Sequence, residues 1–370
     1  MTERERVLAI LNHQQPDQLP WLADLAYYVD ALKITGEYPA QYQDTCWDNG
    51  LQAMHRDYGP GFYLQGYHPF RTLSQGWEKQ EEKRGGTTVT TIITPVGQLR
   101  QVKQYSPKSF STGILEHFVK DIDDLKTYLW VAQHSSFQPD YDLARHRYET
   151  VGDNGVVLCY TPKSPLMDLL ALYAGVENLT YLVMDEEEEF SAILEELGTL
   201  YDTPCRIALE SPAECLMIPE NISSECAAPF YQRYMKAYHQ KWTAAIREMG
   251  KFSFVHQDGT VRGLISQLSK ESHFDVIEAV TPLPAGDVDI AEVASLVDDS
   301  TIIWGGIPGG MFREDSCSDK EFDEHVLRCI QVMTSAPRYV LGVADQVVPG
   351  SSVRRIRRVR ELVDQYGKYR

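Results

Sequence analysis

The chain has 370 residues, 43% hydrophobic and 24% charged, which is ordinary for a globular enzyme with a large core. A formal net charge of −18 argues against nucleic acid as a partner, since phosphate binding needs concentrated positive charge. No apolar run nears the ~18 residues of a membrane span. The seven cysteines (Cys46, Cys159, Cys205, Cys215, Cys226, Cys317 and Cys329) never stand as Cys-x-x-Cys, so neither a disulfide framework nor a thiolate zinc cluster is expected. A reduced, cytoplasmic setting is.

The opening MTERERVLAIL reads as an amphipathic helix, not a signal peptide: Thr2 and Glu5 have capping-box spacing, and Val7, Leu8 and Leu11 form a stripe. Short β-rich runs follow at 19–25 and 62–66. Residues 87–105 alternate with period two around Pro95-Val96-Gly97 and predict an inserted β-hairpin. Further strands are predicted at 156–160, 215–219, 252–256, 276–280, 301–304 and 339–343, with helical periodicity over 229–249 and 261–268. Eight strands alternating with helices favour an α/β fold closed as a (β/α)8 TIM barrel. No Gly-x-Gly-x-x-Gly supports a dinucleotide-binding sheet. The expected organisation is a single domain over 1–370, with an N-terminal helical extension and the hairpin. The arginines Arg354, Arg355, Arg357, Arg358 and Arg360 lie in the last helix, as a solvated face or a dock for an acidic partner.

In such a barrel the residues at the C-terminal strand ends face the active site. Here they include Asp24, Glu220, Glu225, His256, Asp258, Glu278 and Asp345. Converging carboxylates raise each other's pKa unless something neutralises them, and a divalent cation is the simplest neutraliser. One His with carboxylates suits Zn2+. Glu220, His256 and Asp258 are therefore assigned catalytic roles, and Glu220, His256, Glu278 and Asp345 are assigned as metal ligands. Each has a plainer alternative. His256 could be a bonded core histidine, Glu220 and Glu225 could cap the next helix, and Asp258 and Asp345 could close turns. Glu278 is an acid inside an apolar strand, where an unpaired carboxylate is rare. The other nine histidines are read as surface or packing residues.

The fragments RERVLAILNHQQPDQLPW, ITPVGQLRQV, FVKDIDDLKTYLW, PENISSECAAPFYQRYMKAY and GKFSFVHQDG occur in an order that resembles the uroporphyrinogen decarboxylase-like superfamily. The similarity is greatest to its corrinoid-dependent methyltransferase branch. The decarboxylase's arginine-rich segment after the first strand is replaced here by WLADLAYY, which argues against a poly-carboxylate porphyrinogen as substrate. The thiol-methylating members hold zinc through His-x-Cys and a later Cys. The corresponding positions here read His256-Gln257-Asp258 and Asp345. A carboxylate-held zinc would be a harder Lewis acid, suited to an oxygen leaving group. The resemblance therefore implies methyl transfer from a methoxylated aromatic to the Co(I) of a partner corrinoid protein. It leaves open a methylamine, betaine or methanol donor, metal-dependent lyase or hydrolase chemistry, a non-catalytic binding barrel, and a homodimer. Trp21, Tyr27, Tyr28, Phe62 and Tyr67 are candidates for stacking a ring or for core packing.

Overall fold

The computed structural model describes residues 1–44, 47–63 and 66–369; Cys46 and the middle of the run predicted at 62–66 lie outside the described residues. Fourteen strands are described. The first two are β1 (Trp21–Ala23) and β2 (Gly61–Phe62). An insertion follows with β3 (Phe70–Ser74), β4 (Glu78–Arg84), β5 (Thr87–Ile93), β6 (Gln98–Ser106), β7 (Ser111–Glu116) and β8 (Ser135–Pro139). The chain then returns with β9 (Leu158–Tyr160), β10 (Cys215–Ile222), β11 (Phe252–Gln257), β12 (Val276–Val280), β13 (Ile302–Pro308) and β14 (Tyr339–Ala344). Eight of these form one parallel sheet in the order β2-β1-β14-β13-β12-β11-β10-β9. A parallel bridge between Phe62 and Gly155 joins its two ends, so the sheet curls into a (β/α)8 barrel. Every predicted barrel strand has its counterpart, because strands buried on both faces read as continuous apolar runs.

Side chains alternate across the barrel wall. Leu22, Leu158, Cys215, Met217, Phe254, Val276, Ile302, Trp304 and Val340 pack together inside. Val7, Ile10 and Leu11 of the first helix, Glu3–Leu11, join that cluster and plug it, with the predicted Thr2–Glu5 capping box in place. The opposite faces, with Leu216, Ile218, Val255, Ile277, Ile303 and Leu341, belong to the larger core between sheet and helices.

The predicted hairpin is β5–β6, in register from Thr87↔Gln104 to Ile93↔Gln98. It is the centre of a four-stranded antiparallel sheet, β4-β5-β6-β7, beside the two-stranded pair β3–β8. Strand β4, EKQEEKR, is exposed along its whole length, so no apolar alternation announces it. Ile92 and Leu99 are buried and anchor the insertion on the core that contains Leu125 and Tyr128. In the last helix, Val353–Tyr366, Arg354 and Arg355 pair with Asp319, Arg358 with Asp323 and Arg360 with Glu3. Those arginines bind the protein itself. No helix among the described residues is long and apolar enough to cross a membrane.

Candidate active site

The inner face turns polar at the C-terminal end of the barrel. Two residues beyond the buried Phe254 and Val276, the interior positions are His256 on β11 and Glu278 on β12. The parallel register sets these two side by side, and His256 Nδ1 hydrogen-bonds Glu278 Oε2. Glu278 is 1% exposed and His256 12%. Asp345, the residue after β14, adopts φ +64 and brings Oδ1 to 3.7 Å from His256 Nε2. A cavity of about 180 Å³ opens over the group, walled also by Tyr63, Tyr160, Met217, Asn221 and Lys163. The Lys163 ammonium donates to Pro219 O and, at 2.7 Å, to Asn221 Oδ1.

Burial by itself would push the His256 imidazolium down. The adjoining Glu278 carboxylate and its hydrogen bond, helped by Asp345 and Asp258, outweigh burial and raise it to about 9. His256 is therefore a cation at neutral pH, held by an acid. Burial pushes Glu278 and Asp345 upward, against the pull of His256. Burial lowers His68 to about 4, leaving it neutral, and also lowers Lys163.

A second cavity, about 340 Å³, adjoins the first and shares His68, Lys163 and Pro219 with it. The insertion contributes Phe70, Trp77, Ile92 and Phe137, and the helical layer contributes Tyr128, Asp168, Tyr173 and Tyr201. The barrel mouth thus continues into an aromatic chamber.

The structure brings together only part of the set expected from sequence. His256, Glu278 and Asp345 meet, and Asp258 is exposed close enough for its charge to act on all three. Glu220 does not join them. It stands in β10 between Pro219 and Asn221, and strand alternation turns it to the outer face. There its Oε1 lies 2.6 Å from His239 Nε2, and both Glu220 oxygens accept from Ser164 N at 3.1 and 3.3 Å. Asp24 is buried at the end of β1 and accepts from Ala26 N at 2.7 Å. Glu225 is exposed in the first turn of a helix. Trp21, Tyr28 and Phe62 pack in the core between sheet and helices, Tyr67 packs against it, and Tyr27 bonds Ser109 O. The rings that face the cavities are others: Tyr63, Tyr160 and those of the aromatic chamber.

The donor set does not fit the expected Zn2+. A catalytic zinc takes three protein ligands. Here Glu220, one of the expected ligands, faces away to His239, and among the described residues no three His, Cys, Asp or Glu side chains are grouped so as to hold a metal ion.

The barrel fold and its polar mouth agree with the comparisons. This chain belongs to the uroporphyrinogen decarboxylase (URO-D) family, whose profile matches residues 112–366. Its fold is similar to that of a methyltransferase from Methanosarcina mazei, with a TM-score of 0.63, 11% identity and 99% of each chain covered. A search of curated proteins finds no match.

Proposed function

We propose that this protein is a methyltransferase that moves a methyl group from a methoxylated aromatic to the Co(I) of a corrinoid carried by a partner protein. One observation carries the reading: the His256–Glu278 pair opens into a chamber lined by aromatic rings. The corrinoid supplies the nucleophile that takes the methyl group. Among the described residues no cysteine lines either cavity, and burial raises the thiols of Cys159, Cys205, Cys215 and Cys329, so none of the described cysteines offers a thiolate acceptor there.

In this reading the donor's ring lies among Phe70, Trp77, Tyr128 and Tyr173, with its methoxy oxygen toward His256. When the C–O bond breaks, the electron pair stays on the aryl oxygen. His256, kept protonated by Glu278, gives that oxygen its Nε2 proton and lets it leave as a phenol. Such proton donation is typically worth about 10²–10⁴ in rate. Asp345 faces the same nitrogen and holds the imidazolium in place. No metal step is involved.

The test is a Co(I)-corrinoid assay with methoxyarenes, methylamines, betaine and methanol. The expected result is consumption of Co(I) by a methoxyarene with release of the phenol. If no donor consumes Co(I), the transferase reading fails, and tight binding without turnover would make the barrel a binding protein.

A further inference from the structure

The aromatic chamber contains one feature that a neutral ring does not require. Asp168 ends the short helix Pro165–Asp168, which Ser164 caps, and its carboxylate lines the chamber. Its Oδ2 accepts from the hydroxyls of both Tyr128, at 3.0 Å, and Tyr201. Its Oδ1 has no hydrogen-bond partner among the described residues. Asp168 is half-buried and lines the chamber, so this oxygen is open to a donor from outside the chain. Around it stand the Tyr128 and Tyr173 rings, 4.2 Å apart, and the Phe70 and Phe137 rings, edge to face at 5.4 Å. Aromatic faces attract cations, most strongly where water is excluded.

We propose that this chamber binds an organic cation, whose ammonium group reaches Asp168 Oδ1 and whose apolar body lies on the rings. Lys163, also on the chamber wall, gives its hydrogen bonds to Pro219 O and Asn221 Oδ1 at the barrel mouth and acts on Asp168 only through its charge. The two tyrosine hydroxyls favour the ionised form of Asp168, in opposition to burial, which pushes its carboxyl up. A bound cation would add to the same side. The inference rests on the reading that the chamber takes the body of the methyl donor, and it narrows that donor to a ring bearing an aminoalkyl group.

Calorimetry on the full chain, without corrinoid, tests it with three probes that share one ring: 4-methoxyphenethylamine, 2-(4-methoxyphenyl)ethanol and 4-methoxyphenylacetate. The amine is expected to bind at least about tenfold more tightly than the alcohol. Asp168→Asn should abolish that preference, lowering the amine's affinity far more than the alcohol's. Equal affinities for amine and alcohol, no binding of the amine, or tightest binding of the acid would overturn the proposal. The last result would make Lys163 the anchor. The wild-type series is decisive even where the variant fails to fold. Selective amine binding in a protein that consumes no Co(I) would retain the cation site and remove the transferase reading.

Discussion

Two Glu–His pairs stand on opposite faces of the same barrel wall. On the inner face, Glu278 and His256 sit under an open cavity. On the outer face, Glu220 and His239 are both fully buried, and the pair continues through Tyr231 to Ser272, with Tyr231 OH 3.3 Å from His239 Nδ1 and 2.6 Å from Ser272 Oγ. The chemistry of the two pairs is alike; their access is not. The inner pair can exchange a proton with a bound molecule. The outer one ties β10 to the helix Lys236–Glu248 and, through Ser164 N, to the segment that carries Lys163 and Asp168. A carboxylate near a strand end thus faces the cavity or is locked into the wall according to which way strand alternation turns it.

The largest expected difference between the pairs is in rate. His256→Gln should lower methyl transfer by about 10²–10³, the usual worth of a proton donor. Glu220→Gln, in folded protein, should leave transfer within about threefold. Initial rates of Co(I) loss measure both, and the reverse order would break the comparison.

Stability should divide the other way. Glu220→Ala leaves His239 without its partner and Ser164 N without an acceptor in a dry site, at a cost of about 3 kcal/mol by urea unfolding. His256→Gln keeps a donor for Glu278 at a partly open site and should cost about 1 kcal/mol.

The pH response should single out the inner pair. Folding raises the His256 pKa from 6.5 to about 9, so the stability it contributes is full below about 6.5 and is lost as pH rises toward 9. Transfer should hold through neutral pH and fall only as pH rises through about 9, because the protonated ring of the folded protein is the donor. Urea midpoints across this range should decline in the wild type and flatten in His256→Gln. The smallest effect is expected for Tyr231→Phe, which deletes the hydroxyl between His239 and Ser272: about 1 kcal/mol of stability and an unchanged transfer rate.

The barrel was legible in the sequence because its strands are short apolar runs; His256 and Asp345 followed from their places at strand ends, and Glu278 from being an acid inside an apolar strand. Glu220 misled for a local reason. The apolar run stops at Pro219, but β10 continues to Ile222 with an irregular register after Ile218, so residue 220 still obeys strand alternation and points outward. His239 offered only its place on a buried helix face with Trp242 and Ile246. Lys163 stands three residues past β9, where the strand-end rule could have found it. Asp168 carried no local signal, since its role depends on Tyr128 and Tyr201, 40 and 33 residues away. The zinc expectation rested on donors counted along the sequence, and of its four ligands only Glu220 turns away from the others.

The central claim is that the inner pair acts as a metal-free proton donor. Its most direct test is the rate of Co(I) loss with a methoxyarene donor in chelator-treated protein, for the wild type, His256→Gln and Glu220→Gln together. The account predicts full activity in the metal-stripped wild type, loss of at least about a hundredfold in His256→Gln, and near-wild-type rates in folded Glu220→Gln. Activity that vanishes on stripping and returns only with added zinc would contradict it.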